Sequence, residues 1–309
     1  MSLYIRTPLK PLVRINEKYG KNISVKLECY QPDGSFKIRG VSRVVEDAKA
    51  RGIKHIICGS GGNAGHAATC CAAMLGLKCT IVIPQTASGY MAEVLRRDGA
   101  NVIVHGEVFD DARDYAMKLV ENDKDAMFMH PFDLPLLWEG HSTIVDELKE
   151  QTSKPDVIIC ALGGGGLFNG IVQGLDRNGW SDVPIIAVEV EGAPKFRRAL
   201  EAGHPVELEH IDTLANTLAG RIVSAQTLEY AKTHNVTSHL VSDERAANAV
   251  VQFIEDFRIL VELACGAPMS VVYDQPDIIA PYKNIVVIAC GGAGVNLPLL
   301  LDYKQRFNL

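Results

Sequence analysis

The sequence predicts an α/β fold built on parallel sheets, and three observations carry that expectation. Short β-branched runs at Ile56-Ile57, Thr80-Ile81-Val82-Ile83, Val102-Ile103-Val104, Val157-Ile158-Ile159, Ile185-Ile186-Ala187-Val188 and Ile285-Val286-Val287-Ile288 alternate with helical stretches, the pattern of right-handed βαβ units. Glycine-rich turns follow several of these runs, where a strand hands over to a helix. The chain, with 309 residues and 47% hydrophobic content, is long enough for two compact lobes with substantial cores. No internal repeat, low-complexity segment or obvious linker interrupts it.

Taken in order, Asp33-Gly34-Ser35 is strong turn chemistry, and the helix that opens after Phe36 holds Lys37 in its first turn. The positive end of a helix dipole opposes an ammonium there by about 0.3 kcal/mol or more and lowers its pKa. A lysine so placed is a candidate nucleophile for imine chemistry; the other reading is an exposed lysine that happens to lie near a helix start. Next, the strand His55-Ile56-Ile57-Cys58 runs into Ser60-Gly61-Gly62-Asn63-Ala64-Gly65 and the small-residue helix Ala67–Leu75. Such a turn aims several backbone N–H groups at one point, suited to a carboxylate or phosphate, although Asn63 reads equally as an ordinary helix cap. The charged stretches Arg96-Arg97-Asp98 and Glu147-Leu148-Lys149-Glu150 read as solvated helix faces. His130, beside Pro131-Phe132, reads as a packed or hydrogen-bonded histidine rather than a catalytic acid.

Gly163-Gly164-Gly165-Gly166-Leu167 follows the strand Val157–Ala161. Four consecutive glycines lose much backbone entropy on folding, and close approach of the backbone to a phosphate explains them. No Gly-Lys-Ser/Thr follows, so this is not a Walker loop; Glu189, at the end of the strand Pro184–Val188, keeps a nicotinamide-dinucleotide reading as a minor alternative. Cys290-Gly291-Gly292-Ala293-Gly294 closes the apolar strand Ile285–Ala289. A polar group at the carboxyl end of a buried parallel strand lies where open sheets bind ligands, while a core cysteine is the other reading.

The net charge of −6 argues against a nucleic-acid partner. No apolar N-terminal segment or membrane-spanning run is present, since Met1-Ser2-Leu3-Tyr4 leads straight into the first motif. Eight cysteines, two of them adjacent at Cys70-Cys71, lack the spacing of a disulfide framework or a zinc site and point to a reducing compartment, the cytoplasm.

In this order and at these spacings the four motifs resemble the pyridoxal-phosphate enzymes of fold type II, the tryptophan synthase β-subunit superfamily. Within it the serine and threonine dehydratase branch is most similar, and the eukaryotic-type L-serine dehydratases most of all. The resemblance spans essentially the whole chain, through Arg6-Thr7-Pro8-Leu9, Val25-Lys26-Leu27-Glu28, Pro131-Phe132-Asp133, Trp138-Glu139-Gly140-His141 and Glu262-Leu263-Ala264-Cys265-Gly266-Ala267 as well as the four motifs. It implies a two-lobe fold with parallel sheets and helices on both faces. A small lobe over 38–134 would be flanked by the two parts of a large lobe, 1–37 and 135–309, with the cofactor in the cleft between them.

The resemblance also implies roles. Lys37 would hold pyridoxal 5'-phosphate as an imine and then remove the substrate's α-proton. Gly163, Gly164, Gly165, Gly166 and Leu167 would bind the phosphate, Asn63 the 3-oxygen of the ring, and Phe36 would pack beside it. Ser60, Gly61, Gly62 and Ala64, with Asn63, would hold the substrate carboxylate. Cys290 would face the ring nitrogen, where a thiol cannot keep a proton as an aspartate would, which favours β-elimination. Serine racemases have a serine where this chain has Gly61, so racemisation is not expected. Their divalent-ion pattern reads here Glu189-Val190-Glu191-Gly192-Ala193-Pro194-Lys195, and Lys195 in place of aspartate would repel such an ion. A monovalent site built from Glu189 and the carbonyls of Ala193, Leu218 and Gly220 stays open, with potassium the candidate; the other reading of Glu189 is a solvated strand-end carboxylate. The expected activity is conversion of L-serine to pyruvate and ammonia by a homodimer, with L-threonine as a second or even the main substrate. A pyridoxal-phosphate-binding regulatory protein is the alternative from another class, against which the retained Lys37, Asn63, glycine loop and Cys290 argue, because pure binding needs no base.

Overall fold

The β-branched runs pair into two sheets in the computed structural model, which describes residues 2–87, 89–107 and 109–309. The strands, in chain order, are β1 (Leu9–Pro11), β2 (Asn22–Leu27), β3 (His55–Cys58), β4 (Lys78–Ile83), β5 (Asn101–Val104), β6 (Ala126–Phe128), β7 (Val157–Ala161), β8 (Ile185–Val190), β9 (Val236–Val241) and β10 (Asn284–Ala289). Six form one sheet in the order β1-β2-β10-β7-β8-β9, and four form a second in the order β5-β4-β3-β6. Among the strands named, only the β1–β2 pairing is antiparallel; the others are parallel. Strands β7 and β8 are buried along their whole length, as expected where helices cover both faces of a parallel sheet. All six β-branched runs lie in strands. Those that escape the pattern are the three-residue β1 and β6, the half-exposed edge strand β9, and β2, which alternates apolar and polar residues and is not a continuous β-branched run.

The helix Pro135–Gln151 serves both sheets. Leu137 and Trp138 in its first turn pack with Ile38, Val41 and Ile56 under the four-stranded sheet, whereas Ile144, Val145 and Leu148 pack under the six-stranded one. This helix also corrects one sequence expectation. Glu147 is not on a solvated face: its carboxylate accepts from Arg39 Nη1 at 2.7 Å and Nη2 at 2.9 Å, and from Lys26. Arg39 is fully buried and also donates to Glu28 at 2.6 and 2.8 Å. A buried guanidinium needs such a full set of acceptors, since an unpaired one would be strongly destabilising.

Parallel strands end on the same side of a sheet, and that side carries the loops singled out above. The Ser60 loop follows β3, the glycine loop follows β7, and Cys290 follows β10. The turn before Lys37 is fastened to the end of β10 by main-chain bonds from Phe36 N to the Cys290 carbonyl (3.1 Å) and from Gly292 N to the Gly34 carbonyl (2.9 Å). No helix among the described residues is long and apolar enough to cross a membrane.

Candidate active site

Lys37 is the first residue of the helix Lys37–Ala50. Its ammonium donates to the carbonyl of Pro131 at 2.9 Å and lies 5.2 Å from the centre of the Phe36 ring. Burial brings the amine down to about 8, against a smaller upward pull from Cys58 and Cys290, in the direction expected of a lysine at a helix start. Phe36 in turn meets the ring of His141 edge-on at 4.8 Å. Both ring nitrogens of His141 are buried without a hydrogen-bond partner, and burial holds the imidazole well below its ordinary pKa. It is therefore a neutral wall of the site.

The cap of the helix Asn63–Leu75 is Gly62, with no side chain bonded to the open N–H groups. Asn63 is thus not the cap. Its amide donates to both oxygens of Glu262, and its oxygen accepts from Ala293 N at 2.9 Å. Glu262 was not singled out in the sequence as a site residue, yet Thr217 Oγ1 (2.7 Å) and Gly294 N (2.7 Å) also donate to it. Burial pushes its carboxyl above the usual range, and those donors offset part of the shift. The only available signal was its place in the Glu262–Ala267 motif.

The glycine loop leads into the helix Gly166–Arg177, which again carries no side-chain cap. Part of its composition answers to protein packing. A Cβ on Gly164 would lie 2.5 Å from the Phe132 ring, and Gly165 combines φ of +99° with a Cβ position 2.0 Å from Thr227 Oγ1. Only glycine fits both demands at Gly165. Gly163 borders the Thr217 carbonyl, at 3.3 Å from its Cβ position, so the glycine loop and the Asn63–Glu262 cluster share Thr217. His130 accepts from Asp133 N at 2.9 Å, as a hydrogen-bonded histidine. Cys290 is buried at the end of β10. Behind it, burial and then a contact with Cys290 hold the Cys265 thiol well above its ordinary pKa.

Lys37, Asn63, the glycine loop and Cys290 are therefore linked, through Phe36 and Cys290, Ala293 and Asn63, and Thr217 with Glu262 and Gly163. The Ser60, Gly61, Gly62 and Ala64 positions line the open end of the Asn63 helix, and Leu167 sits in the first turn of the glycine-loop helix. Two uncapped helix starts can hold two anionic groups; a desolvated amine between them can attack a carbonyl or take a proton.

Glu189 lies elsewhere, and differs from both sequence readings. It is fully buried, and its two oxygens accept from Phe196 N (2.8 Å) and Arg197 N (2.9 Å) at the start of the helix Lys195–Ala202. The oxygens expected around a monovalent ion do converge, but on a side chain. Lys195 Nζ donates to the Leu218 carbonyl at 2.7 Å and the Ala193 carbonyl at 3.4 Å, and stands 3.9 Å from Glu189 Oε1. Burial works against charge on both partners, lowering the amine of Lys195 and raising the carboxyl of Glu189, while their mutual attraction works the other way.

Comparison with known proteins agrees with this geometry. An L-serine dehydratase/L-threonine deaminase from Mus musculus is 40% identical, covering 100% of this chain and 97% of its own length. An L-serine dehydratase from Dictyostelium discoideum is 38% identical over 98% of this chain and 92% of its own. The crystal structure of a fungal L-serine ammonia-lyase from Rhizomucor miehei superposes with a TM-score of 0.94 at 37% identity, covering 99% of this chain and 100% of that one. The family described as pyridoxal-phosphate dependent enzyme matches residues 1–291, and the chain belongs to that family.

Proposed function

We propose that this protein is an L-serine ammonia-lyase that releases pyruvate and ammonia and accepts L-threonine as a second substrate, giving 2-oxobutanoate. The observation that carries the reading is the desolvated Lys37 amine, set among an asparagine loop, a glycine loop and a thiol, in a chain 40% identical to a serine dehydratase/threonine deaminase. The residues fit pyridoxal phosphate. Two helix starts lack side-chain caps, the glycine loop holds no Cβ between its N–H groups and the space in front of them, and the amine is the residue type that bonds the cofactor's aldehyde. We divide the chain into a small lobe over 38–134 and a large lobe of 1–37 and 135–309, with the site between them.

When bound, the cofactor supplies an electron sink for the pair released as the α C–H bond of the amino acid breaks. Lys37 would hold it through Nζ, and the same nitrogen would receive the substrate's α-proton. A pKa near 8 suits both tasks at neutral pH. Gly163–Gly166 and Leu167 bind the phosphate through N–H groups at a helix start, and Asn63 bonds the 3-oxygen of the ring. Phe36, itself packed on His141, orients the ring. Ser60, Gly61, Gly62 and Ala64 hold the substrate carboxylate at the second helix start. Cys290 would face the ring nitrogen with a thiol, a weaker hydrogen-bonding group than a carboxylate. We place the enzyme in the cytoplasm, consistent with eight unpaired cysteines, and as a homodimer on the strength of the resemblance.

Steady-state assays of pyruvate and 2-oxobutanoate with L-serine and L-threonine test this. Turnover of both is expected; one methyl group shifts the preference between them by about 10–200-fold at most. Failure to form either oxo acid with saturating cofactor would overturn the proposal.

A further inference from the structure

We propose that Lys195 is a built-in cation, whose ammonium takes the place of a monovalent metal ion and makes the enzyme independent of potassium. The two carbonyls and the carboxylate around Nζ, from Leu218 at 2.7 Å, Ala193 at 3.4 Å and Glu189 at 3.9 Å, are the hard oxygen donors that alkali cations take. Lys195 is among the largest fully buried side chains of the molecule. It is also the first residue of its helix, where the dipole opposes a cation. Neither the burial nor the position suits a lysine except through that oxygen cage. A metal ion bound to the same oxygens would lie within about 4 Å of the ammonium, where like charges repel strongly away from water. The cage therefore accepts one cation, and the chain provides it.

The cage bears on the active site through a short turn. Leu218 ends the turn Asn216–Leu218. Its neighbour Thr217 donates to Glu262, which holds Asn63, and the Thr217 carbonyl borders Gly163. Lys195 touches neither loop itself. It is a positioning residue that fixes the turn on which both the glycine loop and the Asn63 cluster lean, the task a bound ion would otherwise perform.

The test compares chlorides of potassium, ammonium, sodium and tetramethylammonium at equal ionic strength, reading L-serine elimination and melting temperature in each. For the unaltered holoenzyme both should stay level across the four salts, within about twofold in kcat/KM. Lys195→Ala empties the cage: its kcat/KM should fall at least about tenfold in tetramethylammonium and recover in ammonium or potassium, with a parallel rise in melting temperature, because an ion that binds only the folded state stabilises it. Lys195→Met keeps the volume without the charge and should be impaired equally in all four. Activation of the unaltered enzyme by about fivefold or more on adding potassium would overturn the proposal. So would a Lys195→Ala enzyme whose activity and melting ignore the cation. The unaltered-enzyme comparison stands even if Lys195→Ala does not accumulate as folded protein. The activity arm rests on the elimination reaction proposed above. No turnover in any salt would refute that reaction, and the melting arm would still decide the role of Lys195.

Discussion

The side-chain amide nitrogen of Asn63 bridges the two oxygens of Glu262, at 3.2 and 3.1 Å. With Thr217 and Gly294 the carboxylate accepts four contacts from three donor groups, as many contacts as its lone pairs allow. Glu262→Gln turns one oxygen into an NH2 group facing donors. The variant should lose about 1–3 kcal/mol of stability, and, because Asn63 is then free to rotate, bind pyridoxal phosphate about tenfold more weakly. Urea denaturation and a cofactor titration measure the two effects; an unchanged dissociation constant would separate Glu262 from the cofactor's cradle.

Lys37 gives a pH signature. The attacking form of an amine is unprotonated, so the fraction available to bond the cofactor grows as pH rises through the amine's pKa. With that value at about 8, refilling of apoenzyme should reach half its limiting rate near pH 8, whereas an exposed lysine would require about pH 10. Stopped-flow absorbance follows the reaction. Lys37→Ala should remain folded by circular dichroism while losing both the visible absorbance and pyruvate formation, and persistent pyruvate formation would remove Lys37 from its role.

Gly61 has little room for a side chain. A Cβ there would lie 2.7 Å from Cγ2 of Ile83, itself buried at the end of β4. Gly61→Ser should therefore cost about 1–3 kcal/mol in stability and slow elimination. Ile83→Leu, which removes that branch, should restore part of both losses in the double variant, a coupling a double-mutant cycle reads directly. A chiral assay on the unaltered enzyme should find no D-serine.

Arg39 pairs with the fully buried Glu28 and the largely buried Glu147. Arg39→Met leaves Glu28 without a cation and Glu147 with Lys26 alone, and should destabilise by about 3–5 kcal/mol. Although burial raises it, the Glu147 carboxyl ends below its ordinary 4.5 because Arg39 and Lys26 pair with it. Its folded-state pKa is thus depressed, so its contribution is complete above 4.5 and is lost as pH falls through the lowered value. Acid titration of Arg39→Met should show a weaker loss of stability in that window than the unaltered protein.

Cys290 should tolerate serine and resist aspartate. Cys290→Ser keeps a small neutral group. Cys290→Asp introduces a carboxylate against the buried Cys265 thiol and one able to hold a proton on the ring nitrogen, so pyruvate formation should fall about tenfold or more. Equal rates for the two variants with saturating cofactor would show that this position does not face the ring nitrogen.

What could be read from the sequence was local. Runs such as Val157–Ala161 and Ile285–Ala289 announce strands because burial on both faces makes them continuously apolar, and the turns after them announce ligand loops. The misses share one cause, a partner far away in the chain. Lys26 sits at a polar position of β2 yet is buried, because Glu147, 121 residues on, takes its charge; the same pairing hides Glu147 among residues that look solvated. Glu262 gives no sign of its tie to Asn63 across 199 residues. Lys195 was recognisable as a departure from an aspartate pattern, but that its ammonium reaches the Leu218 carbonyl depends on how the chain returns over a separation of 23 residues.

The fastening of Gly34 and Phe36 to the end of β10 also sets an order of events during folding. Strand β10 lies between β2 and β7, so the six-stranded sheet stays open until this strand, distant in sequence from both neighbours, enters its middle. Non-local pairings of this kind form late. Until Cys290 and Gly292 arrive, the turn before Lys37 lacks these two main-chain bonds, and the setting of the amine is complete only when the sheet is whole.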